Sequence, residues 1–503
     1  MKLSALIDPI LHKTIYNTSQ TNEIDITSIT ADSREVAQNS LFACVPGHTV
    51  DGHDFAQAAV TQGAVALLTD RLLSLDIPQI VVPDVAKILP LIANHFYDQP
   101  TRRLQLIGVT GTNGKTTTTY LVEKICGDYG KKTGVIGTIE MRIGDQAYPV
   151  QNTTPEPLAL QKAFHQMVNE GVDVAVIEVS SHALELARVA GCDFNIAAFT
   201  NVTQDHLDFH KDMREYVTAK TKLFSRLGNT YDFANGLSYA VLNVDDPYCK
   251  QFADATVAQT LTYGIDHQAD VRATDVVINS EYVSFRVDAG IFGATDLVLN
   301  VTGKFSVYNA LTAISICLLQ GIPLSNIKES LQSVNGVPGR FEKVSLPKDF
   351  TVIVDYAHTA DSLVNVLKTI QEFATNRIIT VFGCGGDRDR TKRPLMGKAA
   401  RKYSDIVVIT SDNPRTEDPT GIIDDIMEAF SDAPEGSYFR EDDRKKAIYH
   451  AISIAEVGDV ILIAGKGHET YQIIGKQKYD FDDRLIAMEA GNASGIQTSG
   501  DDK

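Results

Sequence analysis

The segment Thr110-Gly111-Thr112-Asn113-Gly114-Lys115-Thr116-Thr117 closes the apolar run LIGVT (residues 106–110) and opens a stretch with helical periodicity. A phosphate-binding loop belongs at such a place, between a buried strand and the helix it feeds. Gly111 and Gly114 let backbone N–H groups approach phosphate oxygens closely, with Thr112 and Asn113 completing the loop. Lys115 adds a point charge, the Thr116 hydroxyl can ligate Mg²⁺, and a helix start at Thr117 presents the positive end of a dipole. ATP is therefore the expected nucleotide. The spacing departs from the general pattern, in which a glycine stands five residues before the Gly-Lys pair. Val109 is there, and the glycine has moved to Gly111.

At 503 residues the chain is longer than one hydrophobic core usually serves, and three domains fit it best. A formal net charge of −18 without any basic block argues against nucleic acid as a partner. No apolar run approaches the ~20 residues of a membrane span. The N-terminal MKLSALIDPILHK also carries Asp8 and Pro9 where a signal peptide needs an unbroken apolar core. A soluble, cytoplasmic protein with no membrane insertion is the expectation. Cys44, Cys126, Cys192, Cys249, Cys317 and Cys384 lie far apart without metal-ligand spacing, as thiols of a reducing compartment do.

Strand-like apolar runs alternate with helical periods in the α/β manner. The polar stretch Asp98-Gln99-Pro100-Thr101-Arg102-Arg103 sets a boundary near Pro100, so residues 1–100 form a domain of their own. In residues 101–337, LIGVT, KTGVIGT, VDVAVIEV and FNIAAFTNV read as buried parallel strands of a doubly wound sheet. Alternation in Val283-Ser284-Phe285-Arg286-Val287 marks a small antiparallel patch. A second boundary falls at Val337-Pro338-Gly339. In residues 338–490, TVIVDYAH, RIITVFGCGG, SDIVVITSD and GDVILIAGKG are four more β-runs of a further doubly wound, Rossmann-like domain. Residues 491–503 (GNASGIQTSGDDK) lack apolar anchors and are expected to be a disordered tail.

Ligands of open parallel sheets bind beyond the carboxyl ends of the strands, so polar residues directly after an apolar run are the candidates. After VDVAVI comes Glu178-Val179-Ser180-Ser181-His182, and after NIAAFT comes Asn201-Val202-Thr203-Gln204-Asp205-His206-Leu207-Asp208-Phe209-His210. Glu178 and His206, on neighbouring strand ends beside the phosphate loop, offer oxygen and nitrogen ligands to a second divalent cation. A helix beginning near Met213 presents Lys220 and Lys222. Arg388, Arg415 and Glu469 each follow a β-run of the C-terminal region. Guanidinium forks grip carboxylates and Glu469 can receive an ammonium group, so a zwitterionic amino acid with an extra carboxylate suits them, with structural salt bridges as the alternative.

In order along nearly the whole chain, TGTNGKTT, Asn152-Thr153-Thr154-Pro155, EVSSH, TNVTQDHLDFH, Tyr216-Val217-Thr218-Ala219-Lys220, GKFSVYNA, DYAHTAD, CGGDRD, SDNPRTEDP and GKGHETYQ resemble the Mur ligases. DNPR with GHETYQ resembles the branch that adds the third residue of the peptidoglycan stem peptide. The resemblance implies ATP-dependent ligation of meso-diaminopimelate to the D-glutamate γ-carboxyl of UDP-N-acetylmuramoyl-L-alanyl-D-glutamate, releasing ADP and phosphate. By position it implies that Lys115 and Thr116 hold the ATP phosphates and a first Mg²⁺, with Glu178 and His206 holding a second. Asn309, Arg340 and Asp355 are implied to complete the nucleotide site. Ser33 and Arg34, with the His48-Thr49-Val50 loop, are implied to hold the uridine nucleotide, and Asn152, Thr153, Thr154, Ser180 and Arg188 the muramoyl peptide. Arg388, Asp412, Asn413, Pro414, Arg415, Gly465 and Glu469 would form the amino-acid pocket. Lys220, which the residues alone make a solvated helix lysine, is implied to carry a CO₂-derived carbamate, an anion that can join the metal shell.

Three other readings share part of this pattern. The lysine-adding ligase of the same family has no distal carboxylate for Arg415 to bind. Folylpolyglutamate synthetase gives no role to an N-terminal uridine-binding domain. A non-catalytic nucleotide-binding regulator has no need of Lys115, Glu178 and His206 together with Arg415. A monomer that closes its domains on its substrates is the expected form.

Overall fold

Residues Val174–Glu178 carry no polar alternation before the terminal carboxylate, and such a strand is stable only with both faces covered. All five are buried in the computed structural model, which describes residues 1–493 apart from 19, 48–49, 151, 207–208, 230–235 and 280. Among the described residues the chain builds a five-stranded, an eleven-stranded and a six-stranded sheet and a two-stranded hairpin. Each of the three larger sheets is packed on both faces by its own apolar clusters.

The centre of the large sheet is parallel, in the order Tyr239–Asn243, Ile196–Phe199, Gln105–Thr110, Val174–Glu178, Thr133–Ile136. Its register sets Glu178 opposite Val109 and Phe199 opposite Thr110, so three carboxyl ends open at one level. The phosphate loop leaves the middle strand. The expectation of neighbouring strand ends for Glu178 and His206 is thereby corrected: the loop's own strand separates theirs, and the two residues flank it. At one edge Val271–Ile278, Val283–Asp288 and Ala294–Leu299 form the antiparallel patch. A second hairpin, Met141–Ile143 with Gln146–Tyr148, occupies the other edge, its three-residue strands too short for alternation to register in the sequence. The helix Lys304–Leu319 is buried nearly all round, as its apolar sequence requires, and packs against the loop's helix Lys115–Asp128.

The six-stranded sheet runs Glu342–Val344, Thr351–Asp355, Val460–Ala464, Ile378–Phe382, Ile406–Ile409, Tyr438–Arg440, parallel except for its first strand. Behind its carboxyl ends Arg444 forks onto Asp483 at 2.8 and 2.7 Å, both side chains fully buried. The same guanidinium donates to the carbonyls of Ser411 (3.3 Å) and Ala464 (3.0 Å), pinning two strand ends. Deleting one partner of such a pair strands a buried charge. Arg444→Met should therefore cost about 3–5 kcal/mol of stability, read as a lowered denaturant midpoint, whereas Arg444→Met with Asp483→Leu should recover much of it. A single variant as stable as the parent would contradict this account.

The last helix, Asp483–Ala493, continues past Gly491, where the sequence suggests a disordered tail. Gly491 is buried against Leu346, a contact that needs a small residue and leaves no apolar signal in the sequence. Residues 494–503 lie outside the described residues. Among the described residues no helix is long and apolar enough to cross a membrane.

Candidate active site

After Gln105–Thr110 the chain turns sharply into a helix, and two glycines permit it. At Gly111 (φ +150°) a Cβ would sit 1.9 Å from Thr200 Oγ1, and at Gly114 (φ +85°) 2.3 Å from Asn309 Oδ1. Asn201 steadies the loop from the adjoining strand end. Its carbonyl accepts from the Thr112 N–H (2.7 Å) and its Oδ1 from the Asn113 N–H (3.0 Å). The helix begins at Lys115, two residues before the Thr117 start read from the sequence. The Lys115 ammonium folds back onto the carbonyls of Gly111 (2.9 Å) and Thr112 (2.8 Å). Burial pushes its pKa down, with Glu178 and Asp205 opposing.

Thr116 is a meeting point. Its hydroxyl donates to Glu178 Oε2 and accepts from Arg340 Nη2, both at 3.0 Å, so the loop, the neighbouring strand end and the C-terminal region join at one oxygen. Thr138 fixes the same carboxylate, its N–H donating to Oε1 (2.8 Å) and its hydroxyl to Oε2 (3.0 Å). The Arg340 guanidinium lies 4.9 Å from the Tyr356 ring centre. Asp355 Oδ2 accepts from the Phe341 N–H at 2.7 Å, and burial raises the Asp355 pKa while Arg340 opposes it. His206 lies 3.5 Å from Asp205, with 40 % of its side chain exposed. Partial desolvation, opposed by Asp205 and aided by His182, lowers its pKa to about 4, so its ring is neutral at pH 7 and keeps a lone pair.

Among the described residues no three His, Cys, Asp or Glu side chains gather as a metal cage. A cation here would draw on the Thr116 hydroxyl and the Glu178 carboxylate, with His206 at the flank. Hard oxygen donors that leave positions for phosphate oxygens suit Mg²⁺.

Asp212 caps the helix Met213–Thr221, and the helix separates the two lysines that sequence reading could confuse. Lys222 meets Glu185 at 2.5 Å near the surface. Lys220 is only 1 % exposed, 4.5 Å from the Tyr216 ring centre, and donates to the Gly111 carbonyl at 2.9 Å. That carbonyl also receives Lys115. Desolvation, then the charge of Lys115, push the Lys220 pKa well down, because two buried ammonium groups on one acceptor repel.

Thr154 gathers the residues assigned to the muramoyl peptide. Its hydroxyl donates to the Glu178 carbonyl (2.8 Å) and accepts from the Ser180 N–H (3.1 Å), and its carbonyl accepts from Arg188 Nη1 (3.1 Å). Thr153 Oγ1 lies 3.1 Å from Thr138 Oγ1, while Asn152 is exposed beside it. In the N-terminal domain, Ser33 and Arg34 occupy the short 3-10 turn Ser33–Glu35, and the exposed Arg34 guanidinium forks onto Asp32, 2.6 Å at the shortest. Val50 is exposed; His48 and Thr49 lie outside the described residues.

The loops after Ile378–Phe382, Ile406–Ile409 and Val460–Ala464 converge with the hairpin Tyr471–Ile474/Gln477–Asp480. Arg415, left-handed at φ +52°, donates its N–H to the Ile473 carbonyl (3.1 Å) and Nη1 to the Gly386 carbonyl (2.8 Å), and its own carbonyl accepts from the Gly475 N–H (2.6 Å). Asn413 Nδ2 donates to Glu469 Oε2 at 2.8 Å. Gly465 lies against the Asp412 carboxylate, and the Pro414 carbonyl accepts from the Glu417 N–H. Arg388 is exposed and donates to the Asp387 carbonyl at 3.3 Å.

Family models match in the order of the three sheets: "Mur ligase family, catalytic domain" over residues 25–97, "Mur ligase middle domain" over 109–317, and "Mur ligase, glutamate ligase domain" over 339–467. A curated UDP-N-acetylmuramoyl-L-alanyl-D-glutamate--2,6-diaminopimelate ligase of Geobacillus thermodenitrificans is 53% identical over 466 residues, 93% of this chain and 95% of its own. The chain belongs to the Mur ligase family. The Bacillus cereus Mur ligase of the same name is 50% identical over 466 residues, 93% of this chain and 94% of its own. A solved structure of a ligase of that name, 32% identical, covers 99% of this chain and 100% of that one with a TM-score of 0.70.

Sequence reasoning about this Mur ligase left Thr138, Asn201 and Lys466 without a role. Thr138 follows the run KTGVIG and was within reach of the rule that directs attention to polar residues after a strand. Asn201 belongs to the motif after NIAAFT, but its grip on the phosphate loop spans residues 88 apart and has no local signal. Lys466 lies within a glycine-rich turn, and its burial is decided by the loops around it.

Proposed function

We propose that this Mur ligase joins meso-diaminopimelate to the γ-carboxyl of D-glutamate in UDP-N-acetylmuramoyl-L-alanyl-D-glutamate, consuming ATP and releasing ADP and phosphate. The reading rests above all on the junction at Thr116, where the phosphate loop, Glu178 and Arg340 share one hydroxyl. Thr153 and Thr154 adjoin the Glu178 side of that junction, and the Arg415 cluster belongs to the same sheet as Asp355. The relatives' named substrates supply the chemistry that fits.

A carboxylate resists amines because its oxygen is a poor leaving group. Transfer of the γ-phosphoryl group to the γ-carboxylate oxygen breaks the terminal P–O bond of ATP, releases ADP and forms an acyl phosphate. The amine then forms the C–N bond, phosphate leaves with the C–O electrons, and the nitrogen gives up a proton. Lys115 offsets the charge that repels carboxylate from phosphate, exchanging its loop carbonyls for phosphate oxygens. Asn309, beside Gly114, and Arg340 and Asp355 would hold the nucleotide across the cleft. Mg²⁺ held by Thr116, Glu178, His206 and a Lys220 carbamate would supply further positive charge at the phosphates. Lys220 suits carbamylation because its neutral amine, favoured by burial beside Lys115, is the form that attacks CO₂. The enzyme would work as a cytoplasmic monomer, where ATP and UDP-linked sugars are available.

Arg415 is the test of amino-acid choice. A charged hydrogen bond to the distal carboxylate contributes roughly 1.5–3 kcal/mol, and lysine would leave the guanidinium short of a partner. The parent should prefer meso-diaminopimelate to L-lysine by at least about two orders of magnitude in kcat/KM. Arg415→Ala should lose that preference chiefly by losing diaminopimelate turnover, with ADP affinity unchanged. Equal use of lysine by the parent, or an intact preference in the variant, would favour the lysine-adding reaction.

A further inference from the structure

Lys466 follows the strand Val460–Ala464 with 0 % exposure, a position where an ammonium group persists only against an anion and other acceptors. Its Nζ donates to Glu469 Oε2 at 3.1 Å and to Asn413 Oδ1 at 2.9 Å. Asn413 Nδ2 closes the ring on the same Glu469 oxygen at 2.8 Å. The ring also takes in the hairpin, since the Ile473 N–H donates to Asn413 Oδ1 at 2.9 Å and the Ile473 carbonyl accepts from the Arg415 N–H at 3.1 Å. Asn413 Oδ1 thus has both acceptor positions filled. One buried cation ties two loops and a hairpin together.

We propose that Lys466 is a positioning residue of the amino-acid pocket, holding Glu469, Asn413 and the hairpin behind Arg415 in the arrangement that receives the substrate. The inference rests on the reading of the Arg415 and Glu469 cluster as the amino-acid site. Lys466 is too deeply buried to touch the substrate and acts through its two partners. Without it Glu469 loses a charged donor and is free to rotate. Asn413 loses one of two donors on Oδ1 and is free to flip its amide, which releases Ile473. Asp412, Arg415 and the Arg444 pair with Asp483 remain, yet none of them bonds the Glu469 carboxylate in the described contacts. The junction at Thr116 shares no hydrogen bond with this ring, so the effect falls chiefly on amino-acid binding.

The experiment measures KM for diaminopimelate, ATP and the muramoyl dipeptide in Lys466→Met, Glu469→Gln and the double variant. Lys466→Met should raise the diaminopimelate KM at least about thirty-fold, the scale of a lost charged hydrogen bond, with the other two KM values within about threefold of the parent. The double variant should lose less than the sum of the two single losses, because part of the Lys466 effect runs through that carboxylate and the rest through Asn413. Lys466→Gln keeps a neutral donor, should recover part of the loss, and carries the test if the methionine protein does not fold. Equal rises in all three KM values, or additive losses in the double variant, would reduce Lys466 to support of the fold. If Glu469→Gln and Arg415→Ala leave the diaminopimelate KM unchanged, the pocket reading itself fails. An impaired Glu469→Gln beside normal Lys466 variants overturns only the positioning role.

Discussion

Lys220→Arg should abolish turnover although it keeps the positive charge. Arginine cannot form a carbamate, and it cannot shed its proton beside Lys115 as a buried lysine can. The site is 1 % exposed and the two lysines share the Gly111 carbonyl, so the variant fixes a repulsion that carbamylation would turn into attraction. Loss of a preorganised charge that steadies the phosphate-bearing transition state costs ~3 kcal/mol or more, a fall of at least about a hundredfold in kcat. Lys220→Ala should be equally poor, yet partly restored by a small carboxylate such as acetate in the vacated space. In the parent, removal of dissolved CO₂ should lower activity and bicarbonate should return it. An arginine protein that turns over like the parent would make Lys220 a structural cation. No response of the alanine protein to carboxylates would remove the carbamate from the account even if both variants are inactive.

Lys115→Ala should reduce kcat by at least about two to three orders of magnitude, because in the proposed reaction its ammonium offsets the charge on the transferring phosphoryl group. The structure adds a second, smaller effect. The same ammonium holds the carbonyls of Gly111 and Thr112, and losing two such bonds loosens the loop by about 1 kcal/mol each. ADP affinity should therefore fall modestly while the chemical step falls steeply. Single-turnover phosphate release and ADP titration on a protein with parent-like circular dichroism separate the two. Near-normal turnover in that protein would remove Lys115 from the catalytic set.

Much of the site was legible because its chemistry sits next to its own secondary structure. Thr110 to Thr117 is a local signal: glycines, a lysine and a threonine at fixed offsets between an apolar run and a helix. Glu178 was legible for the same reason, as the polar end of the buried strand Val174–Glu178. Lys220 was not. Its immediate neighbours describe an ordinary helix face, and only the family resemblance singled it out before the structure showed it buried against Gly111. Arg388 and Arg415 looked alike in the sequence, each a cation after a β-run. Arg415 is gathered by the hairpin and Gly386, while Arg388 stays exposed.

By itself the sequence determined the α/β alternation, the phosphate-loop motif and the family, because hydrophobic period, turn residues and motif order are properties of neighbouring residues. Tertiary structure alone decided which polar groups share an environment. It set Thr138 on Glu178, Arg340 on Thr116 and Lys466 within a ring with Asn413 and Glu469, across sequence separations of 40, 224 and 53 residues. It also decided which cations are buried and pushed toward neutrality and which remain in water. Desolvation and charge pairing depend on what surrounds a group in space, and that surrounding is assembled only when distant strand ends are brought to one level.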